Sequence, residues 1–351
     1  MNEILSPNAV RTLLLWYQQN KRDLPWRHTS DPYKIWISEI MLQQTRVEAV
    51  KPYYARFLKS CPDVRALAEI PEEKLMKLWE GLGYYSRARN LQKAARAVVE
   101  EHGGVMPATY EALLKLPGIG EYTAGAIASI AYGLRAPAVD GNVLRVLARV
   151  SGTDADITLP ETKKHFREAL ARVVPEAAGD FTQSLIELGA TVCAPNREPM
   201  CQSCPLRDCC AAYREGRTDE IPVRAPKKPR RIEERTVFLI RDGDRTALSK
   251  RPQKGLLSGL YELPNILGHL GEAEALAHLR SLGFEPLRIQ KLENAKHVFT
   301  HIEWHMIAYD VRITPEFDGL HGRSGMLLIP NGELHQSYAI PSAFGAYVKY
   351  L

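Results

Sequence analysis

Five of the six cysteines in this chain fall within eighteen residues, CAPNREPMCQSCPLRDCC, positions 193–210. Thiols this dense must be gathered around a metal, be paired, or stand exposed, so the segment constrains the fold more than any other. The gaps are uneven: seven residues from Cys193 to Cys201, two to Cys204, then five to Cys210 or four to Cys209. Cysteine runs of this kind hold iron–sulfur clusters. A tetrahedral zinc site remains the alternative, although it favours two similar short pairs. Only Cys61 stands apart, and that usage argues for metal binding in a reducing compartment over a disulfide scaffold.

A chain of 351 residues is long enough for two domains. At 45% hydrophobic and 25% charged residues it can bury a sizeable core, and a net charge of +5 permits a polyanionic partner without demonstrating one. The amino terminus, MNEILSPNAV, lacks the basic flank and apolar run of a signal peptide. No apolar stretch approaches the roughly 20 residues that span a bilayer.

Residues 1 to about 215 read as helical. Apolar residues recur at helical spacing in Val10-Leu13-Leu14-Tyr17, across Ile35 to Val50, and in Leu91-Ala94-Ala95-Val98. Asp31-Pro32, Cys61-Pro62, Gly81-Leu82-Gly83, Gly103-Gly104 and Pro117-Gly118 punctuate them. The character changes at IPVRAPKKPRRIEER, which reads as an extended, basic, proline-containing linker. Beyond it, Thr236–Ile240 and Thr246–Ser249 flank Arg241-Asp242-Gly243-Asp244, a hairpin signal. Glu272–Leu282 reads as a helix and Ile302–Val311 as a strand, so a small α+β domain is expected there.

Three constellations carry chemistry. In Leu116-Pro117-Gly118-Ile119-Gly120-Glu121-Tyr122 a helix ends, Gly118 and Gly120 turn the chain, and a small-residue helix starts. The backbone N–H groups at such a helix N-terminus can hold a phosphate, although a plain helical corner would read the same. Ala138-Val139-Asp140-Gly141-Asn142-Val143 follows, and its aspartate, taken alone, reads as a turn or helix cap. Earlier, Ile37-Ser38-Glu39-Ile40-Met41-Leu42-Gln43-Gln44-Thr45 places Glu39 in a strongly apolar helix. A carboxylate there is paired, solvated through a cleft, or raised in pKa, and a raised pKa suits a general acid near neutral pH.

In that order, the Pro-Gly-Ile-Gly hairpin, the aspartate and the cysteine run resemble the helix–hairpin–helix superfamily of DNA glycosylases and endonuclease III. Leu24-Pro25-Trp26-Arg27, Ser38–Thr45, Gly81–Arg87 and Val139–Val143 narrow the resemblance to the A/G-specific adenine DNA glycosylases of the MutY type. It covers nearly the whole chain. It implies a multidomain protein: an all-α glycosylase core at 1–218, formed by a six-helix barrel and an iron–sulfur lobe with its loop at 193–210. A basic linker at 219–235 and a small α+β Nudix-like domain at 236–351 would follow.

The resemblance further implies a monofunctional glycosylase that flips and excises adenine mispaired with 8-oxoguanine or guanine. Glu39 would be the general acid, Asp140 the partner carboxylate, and Asn142 a group orienting the site. Tyr122 stands where bifunctional relatives carry a lysine nucleophile, so little strand cleavage is expected. Gln44 and Tyr84, with Leu82 close by, would fill the hole left by the flipped base. Arg27 would line the pocket or contact phosphate. Gly118 and Gly120 would form the phosphate nest. Phe299-Thr300-His301, where the family carries Phe-Ser-His, would recognise 8-oxoguanine.

Cys193, Cys201, Cys204 and Cys210 would hold a 4Fe-4S cluster that shapes a DNA-contacting loop around Arg197 and Arg207. The first gap is one residue longer than in the family. Gly259-Leu260-Tyr261-Glu262-Leu263-Pro264 is not followed by the metal-binding Nudix helix, so nucleotide hydrolysis is not expected.

The implied partner is duplex DNA. The resemblance implies no membrane, a monomer, a contact with a sliding clamp or mismatch-repair protein, and a cytoplasmic location, nucleoid-associated in a bacterium. The competing readings are a thymine-mismatch or oxidised-pyrimidine glycosylase on the same scaffold, and a non-catalytic damage-binding iron–sulfur protein.

Overall fold

In the computed structural model the described residues are 3–195, 197–226, 229–314 and 325–351. They divide into two compact units. The first is Met1–Glu69 with Arg89–Pro226, and the second is Ile70–Ala88 with Lys227–Leu351. No helix among the described residues is long and apolar enough to cross a membrane.

The first unit is helical. It carries α1 (Pro7–Asn20), α2 (Pro32–Leu42), α3 (Val47–Ser60) and α4 (Val64–Glu69). After α5 (Glu72–Trp79), which belongs to the second unit, come α6 (Ser86–His102), α7 (Tyr110–Leu114), α8 (Glu121–Tyr132), α9 (Gly141–Ser151), α10 (Pro160–Ala171), α11 (Ala178–Thr191) and α12 (Ala211–Arg214). Local chemistry sets the ends. Ser6 caps α1 with Pro7 in its first turn, and α8 and α9 stop at left-handed Gly133 and Gly152. One core joins Leu13, Leu147, Phe166, Phe181, Leu185 and Leu188, and Cys193 and Leu206 of the cysteine segment pack into it.

Two expectations change here. The helical run across Ile35–Val50 is broken: α2 ends at Leu42, α3 starts at Val47, and Gln44 between them has φ 59°. Apolar spacing continues through the break, so periodicity alone does not show it. The segment read as linker is packed along its first half. Ile221 is fully buried in the first unit's core. Its carbonyl accepts from Arg149 Nε at 2.7 Å, and Val223 O accepts from Ile157 N at 3.2 Å. Prolines and arginines around a single isoleucine hide that anchor from a compositional reading.

The second unit is built on a mixed sheet of β1 (Arg231–Asp242), β2 (Arg245–Lys250), β3 (Tyr261–Glu262), β4 (Asn265–Leu267), β5 (Pro286–Lys291), β6 (Ala295–Val298), β7 (Ile302–Ile313) and β8 (Met326–Pro330). The main order is β3-β2-β1-β7-β5; β4 pairs with β1, β6 with β7 and β8 with β2. β1 and β7 run parallel from Arg231↔Ile302 to Arg241↔Arg312. The expected hairpin forms with Asp242 opposite Arg245, and Gly243 at φ 60° takes the left-handed first turn position.

Period-two alternation divides the residues between the two faces. Val237, Leu239, Trp304 and Met306 lie in one core with α14 (Asn331–Ser337) and α15 (Gly345–Val348), through Leu334 and Tyr347. Phe238, Ile240, Tyr309 and Val311 lie in the other with α13 (Glu272–Ser281), through Ala275 and Leu279.

Candidate active site

Glu39 sits in α2, which is buried on most of its surface: Tyr33, Ile35, Trp36, Ile37, Ile40 and Met41 are all core residues. Asp31 caps this helix by accepting from Tyr33 N at 2.9 Å. Glu39 itself is 7% exposed. Its Oε2 accepts a 2.6 Å hydrogen bond from Tyr122 Oη, on α8. Burial pushes the Glu39 pKa up to about 7; the Tyr122 bond and the Arg27 charge oppose the rise, and the Asp140 charge adds to it. Burial also raises the Tyr122 phenol well above its usual value, so Tyr122 remains a donor near neutral pH.

Asp140 is the N-cap of α9, so the modest cap reading holds locally and the site uses the same residue. Its Oδ1 accepts from Asn142 N and Val143 N, and its Oδ2 from Asn142 Nδ2, each at 2.8 Å. Burial raises the Asp140 pKa while these bonds favour the charged form. Asn142 is positioned in turn: its Oδ1 accepts from Arg145 Nη2 at 2.8 Å. Arg145 Nη2 also donates to Gly189 O at 2.7 Å, and its Nε to Cys193 O at 2.8 Å. A hydrogen-bonded path therefore runs from Asp140 to the start of the cysteine segment.

Two glycines make this convergence possible. A Cβ on Gly125 of α8 would lie 2.1 Å from Pro137 O, so only glycine lets α8 touch the stretch that leads to Asp140. A Cβ on Gly189 of α11 would lie 2.6 Å from the Asn142 Cβ.

Arg27 faces the interior and is not free for phosphate. Its Nη2 donates to Glu187 Oε2 at 2.7 Å, with side-chain exposures of 9% and 0%. Arg22 Nε reaches Glu187 Oε1 at 2.8 Å. Burial alone would raise the Glu187 pKa, but the bonds from Arg22 and Arg27 hold it down at about 2. Sequence reasoning passed over Glu187, Arg145 and Gly189. The signal for Glu187 was present, a glutamate among apolar residues in FTQSLIELGA, as with Glu39.

The hairpin before α8 leaves Gly118 and Gly120 exposed around buried Ile119. Gly118 needs its φ of 76°, whereas Gly120 is an extended N-cap. Arg197 donates to Thr191 O, and Arg207 pairs with Asp208 and Gln202.

Gln44 and Tyr84 are two of the non-glycine residues with positive φ, at 59° and 47°. Such strain clusters at functional sites. Tyr84 is 47% exposed, so it is not a buried ring, whereas Leu82 is buried. Tyr84, in the second unit, hydrogen-bonds Thr300 Oγ1 at 2.7 Å. Thr300 and His301 are exposed. Phe299 packs edge-on to Trp304 at 4.9 Å and to His297 at 4.5 Å, which seats the base of that loop in the core.

Cys193, Cys201, Cys204 and Cys210 line one pocket with Arg149, whose Nη1 lies 3.2 Å from Cys193 Sγ. Cys209 is exposed and donates to Leu206 O at 3.3 Å. Burial, with the neighbouring thiols adding, pushes Cys204 up to about 12. Only a bound cation would keep such thiols ionised. Among the described residues no group of Cys, His, Asp or Glu forms a single-ion site.

This arrangement, a glycine hairpin ahead of a helix that supplies a partner to a buried glutamate, defines a helix–hairpin–helix base-excision protein. Residues 37–176 match the family described as HhH-GPD superfamily base excision DNA repair protein, and residues 236–350 match the NUDIX domain. The chain is 38% identical to an adenine DNA glycosylase of Mus musculus, over 86% of this chain and 70% of that protein. It is 34% identical to an adenine DNA glycosylase of Buchnera aphidicola subsp. Baizongia pistaciae, over 83% and 82%. A solved thermostable thymine-DNA glycosylase superposes with a TM-score of 0.54 at 34% identity, over 59% of this chain and 95% of that one. The chain belongs to the adenine DNA glycosylase family.

Proposed function

We propose that this protein is a monofunctional DNA glycosylase that flips adenine out of duplex DNA, opposite 8-oxoguanine or guanine, and cleaves its N-glycosidic bond. The observation that carries the reading is the division between the two carboxyls. Glu39, with a pKa pushed up to about 7 by burial, is available as an acid. Asp140 accepts three hydrogen bonds that favour its charge. Acid-assisted cleavage of a sugar–base bond needs that pair, one carboxyl to protonate the leaving group and one to face the developing oxocarbenium ion. Tyr122 donates to Glu39 Oε2, which leaves Oε1 to carry the proton toward N7 of adenine. With a phenol in place of a lysine amine at Tyr122, no Schiff base forms.

Family members named for adenine match this chain across both its helical part and its sheet domain, whereas the thymine-DNA glycosylase covers 59% of it. That favours adenine over thymine. In this reading Gln44 and Tyr84 occupy the stack, Gly118 and Gly120 hold a phosphate, and Thr300 and His301 read the opposite base. Cys193, Cys201, Cys204 and Cys210 would hold a 4Fe-4S cluster. When bound, that cluster would anchor residues 193–210 as a DNA-facing loop, and Arg145 would join the loop to the Asn142–Asp140 pair.

The test is single-turnover adenine release from duplexes with adenine opposite 8-oxoguanine, guanine or thymine, with Glu39→Gln alongside. Release fastest opposite 8-oxoguanine and lost in the variant is expected. Tight binding with no release in the wild type would instead identify a damage-binding protein.

A further inference from the structure

The segment Ile70–Ala88 lies within the helical half of the sequence but folds into the same compact unit as Lys227–Leu351. It contains α5 and the turn Gly81–Tyr84. That turn is left-handed at Gly81, Gly83 and Tyr84, with φ of 94°, 68° and 47°; the two glycines adopt it freely, and Tyr84 carries the strain. Its inner side is secured from its own segment. Trp79 Nε1 donates to Gly83 O at 3.1 Å, and Arg87 Nη2 to Leu82 O at 2.8 Å and to Gly83 O at 3.1 Å.

Its base is secured by the carboxyl-terminal stretch. Glu80, the C-cap of α5 and the residue before the turn, accepts from Ile340 N at 2.8 Å through Oε1. Its Oε2 pairs with Lys77 Nζ at 2.6 Å, and Lys77 Nζ donates to Tyr338 O at 3.1 Å. Both side chains are partly shielded, at 31% and 25% exposure. Both receptors are backbone groups of the stretch between α14 and α15. Two side chains of α5 thus grip two alternate residues of an extended segment, and the strained turn starts at the next residue.

We propose that Glu80 and Lys77 are positioning residues for the Tyr84 wedge, so that the carboxyl-terminal domain sets the wedge at its base through Tyr338 and Ile340 as well as at its tip through Thr300. A left-handed tyrosine is unfavourable on its own and persists only where its surroundings over-determine it. Releasing the base leaves the turn held by the Trp79 and Arg87 bonds and by the Tyr84 hydroxyl. The inference rests on the proposed role of Tyr84 in the DNA stack. Glu80 and Lys77 bond Ile340 and Tyr338, so their effect is expected in how the strand opposite adenine is entered.

The experiment uses the full chain and a duplex with adenine opposite 8-oxoguanine and 2-aminopurine beside the 8-oxoguanine, whose fluorescence rises when the stack is opened. Binding signal, single-turnover release and thermal melting are read for wild type, Glu80→Ala, Glu80→Gln and Lys77→Ala. Glu80→Ala is expected to lose most of the fluorescence rise and to slow release opposite 8-oxoguanine about tenfold. Release opposite guanine should change about threefold or less. Glu80→Gln keeps an oxygen for Ile340 N and should recover most of the signal, which a general loss of packing would not. If Glu80→Ala melts low, Lys77→Ala decides, through a smaller loss of the same fluorescence. Wild-type fluorescence and wild-type discrimination in either alanine variant with normal melting would overturn the clamp. A wild type that binds without any fluorescence rise would overturn the wedge role and the clamp with it.

Discussion

The carboxylate site and the wedge turn use opposite means to hold a side chain in an unfavourable state. At the first, burial does the work. Glu39 is surrounded by core residues of α2, its pKa rises to about 7, and partners from three other helices converge on the same region. At the second, backbone strain does it. Tyr84 is 47% exposed and sits at φ 47°, held by hydrogen bonds to the turn backbone and to its own hydroxyl. A group that must change protonation needs a fixed, dry environment. A group that must enter a DNA stack has to stay accessible, so its position is fixed through the backbone. The contrast predicts that substitutions at the first site change the chemical step, and that those at the second change discrimination between opposite bases.

The largest effect is expected at Asp140. Asp140→Asn keeps a cap but removes the charge proposed to face the sugar, and single-turnover release should fall by about three orders of magnitude with DNA binding within about threefold. Equal loss of binding and release would assign Asp140 to folding. Cys210→Ser should next remove iron and the visible absorbance of the purified protein, and weaken DNA binding, while Cys209→Ser keeps both. The reverse result would exchange the fourth ligand and detach the cysteine pocket from the site. Gly189→Ala forces a Cβ to within 2.6 Å of Asn142, and should lower the release rate about tenfold by shifting Asn142 from Asp140. A loss confined to thermal stability would show that Asn142 does not position the carboxylate. The smallest effect belongs to Tyr84→Phe. It removes the 2.7 Å bond to Thr300 and should narrow the preference for 8-oxoguanine over guanine by about threefold without slowing release opposite guanine. A uniform slowing would erase the distinction between the two regions.

Much of the carboxylate site was legible in the chain because its signals are local. Glu39 stands among apolar residues at helical spacing, Asp140 precedes a glycine at a helix start, and Gly243 marks its hairpin. Glu187 carried the same signal as Glu39 and was missed; only the structure shows it pairing with Arg22 and Arg27. The break at Gln44 was illegible for a different reason. Left-handed backbone is normally announced by glycine, asparagine or aspartate, and here it falls on an exposed glutamine. Ile70–Ala88 joins the second unit through neighbours some 260 positions away, as where Ile340 N donates to Glu80. Sequence periodicity holds no record of such partners.

The most direct measurement of the central claim is the pH dependence of single-turnover adenine release opposite 8-oxoguanine. Glu39 has a pKa raised above its usual value of 4.5 to about 7, so it keeps its proton in the lower part of that window and loses it as pH rises through the upper end. The rate should be level below about pH 6.5 and fall about tenfold per unit above about 7.5. A rate that stays level to pH 9, or rises with pH, would contradict a protonated Glu39 as the acid.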